Sequence, residues 1–97
     1  MSIEFTWDPA KAEENRRKHG VGFDTAKAVF ADPFAVSDME RIENGEYRWQ
    51  TIGLVNGCVM LLVAHTIADD DTIERIRIIS ARRATSREVK RYERERR

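Results

Sequence analysis

Cys58 to Thr66, CVMLLVAHT, is apolar at consecutive positions over a length typical of a strand, and so reads as a strand with both faces covered. Asn56-Gly57 precedes it, a dipeptide that tolerates positive φ at both positions, and before that lies a second strand-like run, Tyr47 to Val55. A hairpin whose second strand is buried on both sides needs a sheet with material packed above and below it. That requirement confines the chain to a layered fold.

The flanking segments supply the layers. Ile3, Phe5 and Trp7 alternate with Glu4 and Thr6 as in a strand with one buried face. Asp8-Pro9 then offers a capping side chain followed by a ring that needs no amide hydrogen, and Gly20 supplies a stop, so a helix is predicted over about Pro9 to His19. Phe23 and Asp24 open a second short helix that ends at Asp32-Pro33. Phe34 to Met39 is a weak strand, Glu43 to Glu46 a polar turn around Asn44-Gly45, and Ala68 to Asp71 a loop. Thr72 to Ser80 is the last strand. Strict alternation there puts Ile76, Ile78, Ser80 and Arg82 on one face and Arg75, Arg77 and Ile79 on the other. Thr85-Ser-Arg-Glu88 has the spacing of a capping box and starts a final helix. The order β-α-α-β-β-β-β-α predicts an α+β fold: a small antiparallel sheet with two N-terminal helices packed on it and a C-terminal helix. At 97 residues it forms one domain, 1–97.

Net charge is zero, but its distribution is uneven. Arg75 to Arg97 holds ten Lys or Arg against three Glu, or +7, so Met1 to Glu74 carries −7. A basic end on a neutral chain suggests a local polyanion site, because clustered cations neutralise phosphate independently of sequence. Cys58 is the only cysteine, which excludes an intramolecular disulfide and suits a reduced cytoplasmic location. The N-terminus has no basic start or long apolar run, and Cys58 to Ala64 is too short to span a bilayer, so neither an export signal nor a membrane segment is expected. Neither CxxC nor HExxH occurs, and Asp69-Asp70-Asp71 lacks the spaced ligands of a calcium loop, so no metal or cofactor is expected.

Helix one is unusual, with Ala10 and Ala12 as its only apolar residues and no stripe wide enough to drive docking. Lys11, Asn15 and Lys18 share one side of it at i, i+4 and i+7, with His19 beside them. This side is either a solvated face or part of a binding surface.

Taken together, FTWDPAKAEENRRKHGVGF, RWQTIGL and RIRIISARRATSREVKRYE resemble the BrnT family of bacterial toxins, in the expected order over nearly the whole chain. The resemblance implies a compact fold similar to the RelE ribonucleases, translation arrest through RNA cleavage, and a neutralising antitoxin partner of the BrnA kind. Metal-free RNA cleavage needs a base for the 2′-OH proton, cations for the crowded phosphate and an acid for the leaving 5′-oxygen. His65 is one of two side chains able to titrate near neutrality without a large shift, and is either the proton-transfer group or a satisfied histidine at the core edge. Glu88 is a base or a capping residue. Arg82 and Arg83, at the junction of the last strand and last helix, are placed to grip phosphate, with Arg82 in the catalytic set. Tyr92 is a packing residue by its position on the helix, and the RelE resemblance moves it toward the site. Arg48 and Arg77 either line an RNA groove or face water, and Lys18 and His19 complete the RNA-binding set. The alternatives are a non-catalytic nucleic-acid-binding module, or an interaction protein that docks a partner.

Overall fold

A computed structural model of the chain describes residues 2–95; Arg96 and Arg97, counted above in the basic terminal segment, lie outside the described residues. The elements are β1 (Ser2–Thr6), α1 (Pro9–His19), α2 (Phe23–Ala26), a 3₁₀ segment (Lys27–Ala31), β2 (Val36–Glu43), β3 (Glu46–Val55), β4 (Val59–Asp69), β5 (Ile73–Arg83) and α3 (Ser86–Glu95). They build a five-stranded sheet in the order β1-β5-β4-β3-β2.

Local chemistry explains the element ends. Asp8 Oδ1 accepts from the Ala10 amide at 2.9 Å. Gly20, at φ 71°, closes α1 by donating its amide to Arg16 O. Both Asn-Gly pairs turn with positive φ at each residue: Asn44 52° and Gly45 78°, Asn56 54° and Gly57 68°. Thr85 and Glu88 form the reciprocal capping box, Thr85 N–H on Glu88 Oε1 at 2.8 Å and Glu88 N–H on Thr85 Oγ1 at 3.2 Å.

Three expectations are corrected. The sheet is mixed rather than antiparallel, because β1 pairs with β5 in parallel, Ser2 opposite Ile73 through Thr6 opposite Arg77. No hairpin ties β1 to its neighbour, so connectivity does not force the antiparallel sense. The second helix is a single α-turn followed by 3₁₀ geometry to Ala31. Strand alternation in β5 also breaks. Ala64 pairs with Ser80 but His65 with Ile78, so Ile79 is an extra residue, a β-bulge. Residues beyond the bulge change face: Ser80 and Arg82 join Arg75 and Arg77, while Ile76, Ile78 and Ala81 point the other way.

The sheet therefore has an α2 face and an α3 face. On the α2 face, Val55, Leu61, Val63, Ile78 and Ala81 pack with Val21, Phe23, Ala26 and Val29. On the α3 face, Ile52 and Leu62 bury Tyr92, flanked by Val36, Leu54, Met60 and Ala84. Because α3 covers only the half of its face nearest the β3–β4 turn, the other half of that face is left without a helix.

A cationic cleft beside the β5 edge

β1 runs alongside β5 only as far as Arg77, and α1 takes over at the edge beyond it. Asn15 makes this possible. Its amide donates to Ala81 O at 2.9 Å and Val21 O at 3.0 Å, and its Oδ1 accepts from Ala81 N–H at 3.1 Å. The side chain thus occupies both backbone groups of Ala81 as a neighbouring strand would, which docks a helix that lacks an apolar stripe. With Asn15 buried, Lys11, Lys18 and His19 are carried along the strand edge, all exposed.

Lys11, Glu14, Asn15, Lys18 and His19 line one hollow with Ile79 and Ser80. Lys11 and Ile79 also line a second, with Asp8, Arg48, Arg77 and Ile78, so the two hollows adjoin over the bulge and together make up a cleft. Sheet register places Gln50, Ala64, Thr66 and Ser80 on this same α3 face. Among the described residues, Lys11, Lys18 and His19 make no ion pair. The arginines are held: Arg77 donates to Glu46 at 2.8 Å, and Arg48 lies 3.4 Å from Glu43. Such pairing fixes a guanidinium while leaving it partly exposed to a ligand.

At the α3 side of the sheet Arg82 donates through both Nη atoms to Glu88, at 2.9 and 3.0 Å. The bidentate hydrogen bonds from Arg82 hold the Glu88 carboxyl below the usual carboxylate range, and the same contact raises Arg82. Glu88 is thus an ionised cap. Arg91 pairs with Asp38 and, at 2.6 Å, with Glu95; its contact lowers the Asp38 carboxyl.

The sequence-derived candidates divide accordingly. Lys18, His19, Arg48 and Arg77 meet at the cleft, and Arg82 shares its face. Lys11, Asn15 and Ser80 belong with them and were absent from the expected site set, although Lys11 and Asn15 stood on the flagged side of α1. Arg83 points to the opposite face, lining a hollow with Gly20, Val21 and Cys58, so the expected Arg82–Arg83 grip does not form. Tyr92 is 2 % exposed, its hydroxyl donating to Asp32 Oδ2 at 2.5 Å, and that oxygen also accepts the Leu54 amide at 2.8 Å. Tyr92 therefore braces α3 against the β3 edge.

His65 lies in phase with Leu61 and Val63 and is 1 % exposed, on the side of the sheet away from the cleft. Its ring meets Phe30 edge-on at 4.8 Å, and Nε2 is 2.7 Å from Thr51 Oγ1, which in turn is 2.7 Å from Ser37 Oγ. Since Nδ1 faces the Thr66 carbonyl at 3.5 Å, the consistent tautomer carries its proton there and accepts at Nε2 from Thr51. Burial pushes the imidazole down to about 4, so it is neutral at pH 7.

Among the described residues no group of three or more His, Cys, Asp or Glu is placed to hold a metal ion, and no helix is long and apolar enough to cross a membrane.

Comparison with known proteins found three things. A sequence model described as "Ribonuclease toxin, BrnT, of type II toxin-antitoxin system" matches residues 7–88. The crystal structure of the ribonuclease toxin BrnT from Brucella abortus superposes with a TM-score of 0.59 at 23% identity, covering 89% of this chain and 99% of that one. Curated protein sequences gave no match.

Proposed function

This chain belongs to the BrnT family of ribonuclease toxins of type II toxin-antitoxin systems, and from that premise we propose that it cleaves RNA in the cleft between α1 and the bulge of β5. As such a toxin it acts on RNA and has an antitoxin partner. The BrnA-like character of that partner, kinship of the fold with the RelE ribonucleases, and translation arrest as the outcome belong to the proposal.

One observation carries the reading. The Ile79 bulge turns Ser80 and Arg82 onto the face that already bears Arg77, next to the unpaired Lys11, Lys18 and His19 of α1. A phosphodiester laid along this strip meets cations from two elements, and Lys11 and Lys18 bring no internal carboxylate that must first be displaced. Arg77 and Arg48, already oriented by glutamates, stabilise charge that builds on the phosphoryl oxygens. His19, an imidazole at the solvent-facing end of the cleft, is the proton-transfer group. It replaces His65 in that role, since a substrate cannot reach a ring buried beneath Phe30. Arg82 keeps its place as a phosphate ligand, and Glu88, Tyr92 and Asn15 hold the scaffold. Asp8 and Glu14 also line the cleft, and cleavage without a metal belongs to the proposal.

Purified protein incubated with RNA in excess chelator is expected to cut it. His19→Ala should slow cleavage about 10²-fold or more, the scale of a lost general acid or base, while His65→Gln at pH 7.5 stays within several-fold of the parent. Full activity of His19→Ala would remove the cleft from the mechanism. RNA that is bound in a salt-dependent way but never cut would leave a binding module only.

A further inference from the structure

The α2 face carries its own unpartnered surface, at the end of the sheet that α1 and α2 do not reach. Trp49 pairs with Met39 and with His65, so all three share that face. The next positions along it are Tyr47, opposite Ile42, and Ile67, opposite Ile76. Ile3 joins them, two residues before Phe5, whose ring packs on Phe30 of the same face. Met39, Ile42, Tyr47, Ile67 and Ile3 are 47, 60, 57, 38 and 52% exposed. They come from β2, β3, β4 and β1 and so reach from one edge of the sheet to the other, about 19 Å at the usual strand spacing of about 4.8 Å, while on β5 Ile76 is buried and Glu74 stands beside Ile3. Isolated exposed apolar side chains are ordinary, but a group drawn from four strands onto one face marks an interface.

Charge specifies what covers it. Asp69 and Glu74 pair with each other across β4 and β5, with Glu74 also opposite Ile3, and Asp71 follows in the turn. None of the three has an ion pair among the described residues. The arginines of these strands, Arg41, Arg48, Arg75 and Arg77, all project to the opposite face. The surface is therefore apolar over β2, β3 and β4 and anionic where β4 turns into β5, with no arginine of these strands on its side to neutralise it. An occupant needs an apolar stripe ending in Lys or Arg. A second copy of the same face brings the same acids and no arginine of these strands to meet them.

We infer that this face anchors the antitoxin through an apolar segment flanked by basic residues, an inference that rests on the toxin-antitoxin reading. The antitoxin is thus gripped on the side of the sheet opposite the RNA cleft, and grip and catalysis are separable by mutation. Two variants test this against purified antitoxin: Ile42→Glu with Tyr47→Glu, and Asp69→Lys with Glu74→Lys. Each alters only exposed or half-exposed side chains, so circular dichroism should match the parent, and the charge variant keeps the test open if the apolar one misfolds. The expected result is at least 100-fold weaker antitoxin binding in each, with RNA cleavage by the free toxin within twofold of the parent. Parental affinity in both variants would overturn the inference while leaving the cleft intact. Self-association of the parent toxin, abolished by the Tyr47 variant, would overturn it in favour of a second copy. If the parent neither cuts RNA nor binds antitoxin, the functional reading itself fails, and that outcome differs from the others at the first control.

Discussion

His65 is a neutral histidine sealed in the core, and that makes the protein's stability fall with acid before its carboxylates begin to titrate. In the folded state the imidazole is pushed down to about 4 by burial; in the unfolded chain it returns to about 6.5. Between those values the unfolded chain binds more protons than the folded one, so stability is present above pH 6.5 and is lost as pH falls toward 4. Integrating the difference from pH 7 to pH 5 gives a loss of about 2 kcal/mol. A domain of this size has about 5–15 kcal/mol in total, so the loss is well within measurement. The loss also has a visible structural origin. Protonation puts a second N–H on Nε2, where Thr51 Oγ1 now donates, and the Ser37–Thr51–His65 chain has to reverse its donors inside a closed core.

The assay is urea denaturation followed by the fluorescence of Trp7 and Trp49, at pH 7 and pH 5, for the parent and His65→Gln. Glutamine can place its amide oxygen where Nε2 accepts, but it does not titrate. The variant starts from lower stability because its contact with Phe30 is lost. What matters is the change with pH: the parent should lose about 2 kcal/mol over this interval and the variant a small fraction of that. Carboxylates held low in the fold, Asp38, Asp70 and Glu88, add a loss of the same sign mainly at lower pH, and they contribute equally to both proteins. Equal slopes in parent and variant would refute the reasoning.

Two further outcomes follow from single contacts. Asn15→Ala strips the partner from both backbone groups of Ala81 and from the Val21 carbonyl, and should cost about 3 kcal/mol, enough to lower Tm by more than about 10 °C in thermal denaturation. Gly53→Ala would set a Cβ 2.8 Å from Val29 Cγ1 and 2.9 Å from Val29 O. Since a backbone oxygen cannot swing aside, the loss should be about 1–3 kcal/mol by urea midpoint, and Val29→Ala, which removes only the methyl clash, should not restore it.

Where the chain's structure is dictated by neighbours in sequence, it could be read directly. Asp8-Pro9 and Gly20 bound α1 at the expected residues, the two Asn-Gly pairs turn as their tolerance of positive φ requires, and the Thr85–Glu88 box caps α3. Contacts between distant residues carried no such signal. Tyr92 stands on a narrow apolar stripe, consistent with packing, but nothing near it announces Asp32 as its partner. His65 could have been assigned from phase, since it follows Leu61 and Val63 at intervals of two in the most apolar strand. Its chemistry, rather than its position, suggested a site.

The cleft was half legible for a different reason. Helix one has no apolar stripe to dock it, and Asn15 holds it instead, a role its sequence position does not announce. Unbroken alternation through Ile78-Ile79 assigns Ser80 and Arg82 of the strand it serves to the wrong face. That doublet is the available signal: on a strand that alternates Arg and Ile, a second Ile in succession either exposes an apolar residue among arginines or marks an inserted position. The insertion has consequences for charge. It gathers Arg77, Ser80 and Arg82 on one face. Charge along the chain was therefore a poor guide to charge in space. Arg75, Arg77, Arg82 and Arg91 of the basic terminal segment are each engaged by a carboxylate, whereas the unpaired cations of the cleft, Lys11 and Lys18, come from the acidic N-terminal portion. The unpaired acids Asp69 and Glu74 sit on the reverse face. The charge polarity of the molecule runs through the sheet, from one face to the other, and the bulge at Ile79 sets its direction on β5.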